Sequence, residues 1–358
     1  MADIVFGPNS VFQFLALLAA GAWIYLIALH GGFWRAGPRL EDDRDRPGAA
    51  TGSGRAAWPS VAAVVPARDE AAVIGQSTRS ILRQDYAGAL TLVVVDDRSQ
   101  DGTADVARKA AAGEMRSGAL RVIPSPPLAP GWTGKMWAVH QGVAEAAKAE
   151  PDYFWLTDAD IEHGASELRL LMEKARAEKR DLVSVLVRLR CLALWEKFLI
   201  PAFVFFFQML YPFPWANDPA RRLAAAAGGS MLVRRAALER AGGIAAIRDE
   251  LIDDCALART IKNQGSIWIG HARETRSLRA YDRLSDIWDM VARTAFTQLR
   301  HSLPLLAGCL AGLALVYLMP PAAAIAGLAW DRPVLTVFGG ATWLAMTAAY
   351  LPTLRLYG

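Results

Sequence analysis

Cysteine is scarce in this 358-residue chain, which holds only Cys191, Cys255 and Cys309. The three are far apart and have no CxxC spacing. This argues against a disulfide framework or a thiolate metal site and fits a reducing compartment. No stretch interleaves basic residues with stacking aromatics, and Lys+Arg exceed Asp+Glu by only 39 to 35. No nucleic-acid partner is therefore expected. The absence of GxGxxG counts against a nicotinamide cofactor. Asp3 is the only charged side chain before the first apolar run, so that run lacks the basic leader of a signal peptide.

Apolar sequence, by contrast, makes up 53% of the chain. Residues 11–29 are uncharged and long enough to cross hydrocarbon, so 1–30 reads as a transmembrane anchor. Arg35, Arg39, Arg44, Arg46 and Arg55 follow it, which by the positive-inside rule puts that side in the cytoplasm and the N-terminus outside. Residues 31–60, charged and then rich in Gly and Ser, read as a flexible linker. Near the other end, 303–330 and 334–354 are uncharged and separated by Asp331 and Arg332. They read as a transmembrane hairpin within 302–358, with limits blurred by Pro320-Pro321. A further apolar stretch, 198–216, contains Pro201, Pro212 and Pro214, which disfavour a clean helix. Its dense aromatics fit a segment lying in the interfacial layer.

Between these parts, 61–301 reads as a cytoplasmic domain whose first half alternates strand and helix patterns. VAAVVPA (61–67), LTLVVVDD (90–97), LRVIPS (120–125) and 153–158 read as strands. Helices are expected over 70–84, 101–112, 134–149 and about 164–179. Such alternation implies an α/β fold around a mostly parallel sheet, with ligands bound beyond the carboxyl ends of its strands.

The charged residues gather at those ends. VVPARDEA places Pro66, Arg68 and Glu70 after the first strand, and VVVDDRSQDGT places Asp96 and Asp97 after the second. One of these adjacent acids can face the crevice while the other holds the loop; the plainer alternative is a helix cap. In GWTGKMWAVHQG, Lys135 opens a helix, where a cation and backbone N–H groups can meet phosphate oxygens. YFWLTDADIEH carries Asp158 and Asp160 two residues apart, so on a strand they would point the same way and converge. Two converging carboxylates repel unless something positive sits between them: a metal (Mg²⁺ or Mn²⁺ prefers such oxygens), a base or solvent. The plainer alternative is a cap for the helix that follows. His163 reads as a solvated loop residue. Gly228-Gly229 form a turn at which backbone can approach a ligand. Asp253-Asp254 open a helix, either as acids suited to its dipole or as a general base.

The order of these motifs resembles that of inverting family 2 glycosyltransferases of the GT-A fold, over about 61–301. GWTGKMWAVHQG, IPAFVFFFQMLYPFPWANDPA, IAAIRDELIDDCALA and MVARTAFTQLRHS more narrowly resemble bacterial hopene-associated glycosyltransferases of hopanoid biosynthesis. The resemblance implies a nucleotide-sugar donor, of UDP type, with Pro66, Arg68, Glu70, Asp96, Asp97 and Lys135 on the nucleotide. It implies Asp158 and Asp160 as the metal pair, Gly228 and Gly229 near donor sugar and acceptor, and Asp254 as base with Asp253 beside it. It also implies a lipid acceptor, a hopanoid, at a bacterial inner membrane. A polyprenyl-phosphate or sphingolipid-type acceptor and a non-catalytic scaffold are the alternatives. The processive QxxRW motif is not reproduced: TQLRHS leaves Gln298 and Arg300, expected on the acceptor side, out of register, which favours a single transfer.

Overall fold

The computed structural model describes residues 8–43 and 57–357. They fall into two compact units, one comprising 37–200 and 213–286, the other 1–36, 201–212 and 287–358. In chain order the α-helices begin α1 (Pro8–Ala28), α2 (Ile74–Leu82), α3 (Thr103–Ala111), α4 (Gly134–Ala147), α5 (Glu167–Ala177) and α6 (Leu194–Leu210). They continue α7 (Phe213–Asn217), α8 (Arg235–Arg240), α9 (Asp253–Lys262), α10 (Leu284–Gln298), α11 (Leu303–Leu313), α12 (Met319–Ala329) and α13 (Pro333–Leu354).

The first unit is built on strands β1 (Val61–Ala67), β2 (Leu90–Asp96), β3 (Leu120–Pro124), β4 (Tyr153–Leu156), β5 (Ile161–Glu162), β6 (Leu182–Arg188), β7 (Met231–Arg234) and β8 (Ile267–Ser277). Their spatial order is β3-β2-β1-β4-β7-β6-β8-β5. β1 to β4 run parallel, as do β6 and β8; β7 and β5 are antiparallel to their neighbours. The sheet is mostly parallel, as the alternating pattern implies. Because helices cover both faces, β1 is apolar at nearly every position rather than at alternate ones. Val61, Ala63 and Val65 pack with Ile74 of α2, Ala107 of α3 and Leu171 of α5. Ala62 and Val64 face the other way, toward Met136 and Val139 of α4 and Leu257 of α9.

Gly142 explains how closely α4 lies on the sheet. A Cβ there would stand 2.4 Å from Val64 Cγ1 and 2.8 Å from Val95 Cγ2, so only hydrogen fits. This contact fixes the helix whose first turn carries Lys135. Gly142→Ala should destabilise the unit by about 1–3 kcal/mol, the usual cost of overpacking. Thermal unfolding followed by near-UV circular dichroism checks this; an unchanged midpoint contradicts it.

Among its described residues the second unit contains three helical stretches long and apolar enough to cross a membrane: Ser10–Ala28, Leu303–Ala329 and Pro333–Leu354, with mean hydropathy 2.0, 2.0 and 1.5. The second stretch passes through a π-helical turn, Ala314–Leu318, just before the Pro320-Pro321 pair. Pro320 has no N–H to give the carbonyl four residues back, at Val316. Trp23 supplies the missing donor, its indole Nε1–H reaching Val316 O at 2.8 Å. α12 and α13 approach closely enough that a Cβ on Gly339 would stand 2.4 Å from Ala324 N, the small-residue packing expected of helices in lipid.

Two sequence expectations need correction. The helix α6 runs straight through Pro201, although prolines over 198–216 disfavour one. An apolar segment gains more by closing its remaining backbone bonds than one proline removes. Pro212 and Pro214 fall at the break before α7 and in its first turn, where proline is tolerated. The start of the stretch expected as a linker over 31–60 is packed: Leu40 is buried in the sheet core and Glu41 Oε1 accepts the Arg273 N–H at 2.7 Å. Residues 44–56, with Arg44, Arg46 and Arg55, lie outside the described residues.

Candidate active site

The chain leaves β1 toward β2 and β3 on one side and returns as β4 on the other, so the strand order reverses between β1 and β4. Crevices form at the carboxyl ends of strands at such a point. β4 stops at Leu156, opposite Val64, while β1 continues to Ala67. The sheet opens there, and Pro66, with no N–H to offer a neighbour, lies in the opened part. Pro66, Lys135, Asp158, Gly228 and Asp253 line the resulting cleft.

Lys135 stands in the first turn of α4, capped by Thr133, whose hydroxyl accepts the Met136 N–H. Its Nζ lies 2.8 Å from Asp158 Oδ1 and 3.2 Å from Asp253 Oδ2. Asp254 Oδ2 accepts the Gly228 N–H at 2.9 Å, and Oδ1 accepts the Cys255 N–H at 2.7 Å. Asp254 therefore ties the start of α9 to the glycine turn before β7, and Ile252, not an acid, holds the N-cap position. A Cβ on Gly228 would stand 3.5 Å from Lys135 Nζ and 3.7 Å from both Asp158 Oδ2 and Asp254 Oδ2. The glycine thus keeps the centre of the charge cluster open. Gly229 is turned toward the core instead: its added Cβ would press on both Val187 methyls at 3.0 Å.

These contacts set the protonation balance. Burial, with Asp253 close by, pushes the Asp254 carboxyl up to about 6, against the pull of Lys135 and two backbone N–H groups. Burial alone lowers an ammonium, but Asp158, Asp253 and Asp254 outweigh it and hold Lys135 above its ordinary range.

A second cluster adjoins the first. Asp160 is buried, and its Oδ2 accepts from Ser277 Oγ at 3.1 Å and Arg279 Nε at 3.0 Å. Arg279 also donates through Nη2 to Glu70 Oε1. Burial raises the Glu70 carboxyl above its ordinary value, opposed by Arg279. Asp97 is buried facing the start of α4, with Arg68 at 3.7 Å and Arg98 at 3.6 Å. Asp96 holds its loop by accepting the Ser99 N–H at 3.0 Å.

Convergence of Asp158 and Asp160 from a strand is not what forms. β4 ends before both, and past it Asp158 turns to Lys135 while Asp160 turns to Ser277 and Arg279. Among the described residues no three Asp, Glu, His or Cys side chains gather into a metal cage. The donor set still suits Mg²⁺ or Mn²⁺, which use one or two carboxylates and take further oxygens from a phosphate. Among the described residues, five acids, Glu70, Asp158, Asp160, Asp253 and Asp254, face two cations, Lys135 and Arg279, across the two clusters. A diphosphate entering that surplus of negative charge needs a cation with it.

His163 is not solvated. It is buried, with Nδ1 2.7 Å from Glu167 Oε2 and Nε2 3.0 Å from Thr157 Oγ1. Thr157 gives its one hydroxyl proton to Gly229 O at 2.7 Å, so His163 Nε2 must be the donor to Thr157. The network joins the DAD loop to the glycine turn from beneath. Gln298 and Arg300 belong to the other unit, where Gln298 Nε2 donates to Tyr211 OH and Arg300 sits in the left-handed region at φ 52°.

Arg279 and Thr157 were not among the sequence candidates. β8 carries no clean alternation, IWIGHARETRS being mixed, yet it runs parallel to β6 and so ends on the side of the crevice. A charged residue two positions beyond that end is the signal that finds Arg279.

The sequence model of glycosyl transferase family 2 matches residues 62–242, the span that builds this cleft as far as the glycine turn and α8. The chain belongs to glycosyl transferase family 2. Among solved structures it is similar to the mannosyltransferase PcManGT from Pyrobaculum calidifontis, in complex with GDP-Man and Mn²⁺. Identity is 20% over 96% of this chain and 97% of that one, with a TM-score of 0.55. The glucosyl-3-phosphoglycerate synthase from Mycobacterium tuberculosis, in complex with Mn²⁺ and UDP-glucose, is 19% identical over 71% of this chain and 84% of that one, at a TM-score of 0.43. No curated protein sequence matches the chain. The fold is that of the GT-A glycosyltransferases, with apolar helices at both ends.

Proposed function

We propose that the protein moves one sugar from a nucleotide sugar, of UDP type, to the hydroxyl of a membrane lipid of the hopanoid class, inverting the anomeric carbon. The observation that carries this reading is the open space over Gly228, ringed by Lys135, Asp158 and Asp254. Asp97, flanked by Arg68, receives the nucleoside beside Pro66 and Glu70, while Asp96 keeps the loop in place. Lys135 neutralises the diphosphate, and Gly228 leaves room for the donor sugar. A divalent cation held by Asp160 and Asp158 with the donor's diphosphate would stabilise charge building on the leaving group. Asp254 takes the acceptor hydroxyl proton as that oxygen bonds to the anomeric carbon. The bond from that carbon to the diphosphate breaks on the opposite face, and nucleoside diphosphate leaves. Asp253, 3.2 Å from Lys135 Nζ, biases Asp254 toward accepting a proton.

The lipid acceptor is supported by the three span-length helices and by exposed Leu192, Leu194, Trp195 and Phe198 leading into α6. In this reading 61–301 is cytoplasmic, 198–216 lies at the interface, and both ends hold the protein in the inner membrane. Gly228→Ala is expected to leave the fold intact, since every new contact is at 3.5 Å or more. It should weaken nucleotide-sugar binding about tenfold by filling the donor's space, equivalent to about 1.4 kcal/mol. Titration calorimetry with the donor reads this out. The acceptor is tested by mass spectrometry of lipids from cells lacking the protein and from complemented cells. One glycolipid should vanish and return; identical lipid profiles would overturn the lipid assignment.

A further inference from the structure

The Asp160 carboxylate is already engaged before any divalent cation arrives. Its Oδ2 already holds Arg279 Nε at 3.0 Å and Ser277 Oγ at 3.1 Å, and the carboxylate is buried. A hard divalent cation sits about 2.1 Å from its carboxylate oxygen, so an arriving ion and the guanidinium would share one small carboxylate as like charges. That competition is relieved when Arg279 moves. The arginine is built to move: its side chain is 45% exposed, it follows the end of β8, and its second partner, Glu70, belongs to a loop at the crevice. Guanidinium also has the fork that matches phosphate oxygens, so an entering diphosphate offers it a new partner.

We propose that Arg279 is a further donor-binding residue, an internal counter-cation that releases Asp160 to the divalent cation and turns to the diphosphate arriving with it. This rests on the metal-dependent reading above. Metal and nucleotide then bind cooperatively for a stated reason. Metal alone has to displace Arg279 with no replacement partner for it, whereas metal with nucleotide gives Arg279 a phosphate. The coupling is reciprocal, so each ligand must strengthen the other by the same factor.

The test uses the purified full-length protein in detergent, with Mn²⁺ binding followed by the electron paramagnetic resonance signal of free Mn²⁺. Titrations are run alone and with UDP or GDP. Arg279→Ala should tighten Mn²⁺ binding without nucleotide about tenfold and reduce the enhancement by nucleotide by about the same factor. Arg279→Lys, which keeps the charge and loses the fork, should fall between. Arg276→Ala removes a neighbouring surface charge that pairs with Glu162 and leaves Asp160 untouched, so it should stay within about twofold of wild type. Unchanged or weaker Mn²⁺ binding in Arg279→Ala overturns the proposal, as does an equal gain in Arg276→Ala. An intact nucleotide enhancement in Arg279→Ala overturns the move to the diphosphate. Wild type that binds no Mn²⁺ with either nucleotide refutes the metal-dependent reading itself, a result distinct from all of these.

Discussion

Asp254→Asn is expected to slow sugar transfer about 10²–10⁴-fold, the usual worth of a general base, while donor binding changes little. Asn keeps the shape, and its single amide oxygen can still accept one of the two N–H bonds, from Gly228 or from Cys255. What it loses is affinity for a proton. A purely structural Asp254 would lose one hydrogen bond, worth about 0.5–1.5 kcal/mol of stability, and keep its activity. The pH dependence follows from the same geometry. A base must be ionised, and burial beside Asp253 lifts Asp254 to about 6. Activity of the free enzyme should therefore rise with pH through about 6 and level off above it. Asp253→Asn removes one of the causes of that rise, so the acid limb of its profile should move to lower pH. Its loss of rate should be smaller than that of Asp254→Asn. The reverse order of losses would assign the base to Asp253.

Asp160→Ala is expected to lower transfer about 10³-fold or more, since a metal's stabilisation of a leaving group is worth several kcal/mol. Mn²⁺-dependent nucleotide binding should vanish with it. The protein should remain folded, because the Asp160 carbonyl keeps its bond from the Leu278 N–H and Arg279 keeps Glu70. Chelation of the wild type should reproduce the variant. Full transfer in excess chelator would remove the metal from the mechanism.

The local parts of this site could be read from sequence because each depends on a few adjacent residues. Strand ends at Ala67 and Asp96 follow from apolar runs meeting acids, and Lys135 beside Gly134 and the acids at 253–254 mark helix starts. What could not be read depends on distant chain. Where β4 ends is decided by its pairing with Val64 and Met231, so Asp158 and Asp160 lie off the strand and the i, i+2 rule does not reach them. His163 is buried by Glu167, Thr157 and Trp155, a contact set invisible in its polar surroundings in sequence. Arg279 follows a strand whose pattern is mixed, because its first six residues are all buried while exposed Arg273, Glu274 and Arg276 alternate with buried Thr275 and Ser277. Pro201 misleads for another reason: proline weighs on a helix locally, but an apolar environment decides whether the rest of the backbone closes.

The most direct measurement is nucleoside diphosphate release from UDP- and GDP-sugars by the purified full-length protein with Mn²⁺ and a bacterial lipid extract. One donor should be turned over, with release dependent on the lipid, stopped by chelator and lost in Asp254→Asn. Release from no donor, or equal release by wild type and Asp254→Asn, would contradict the reading.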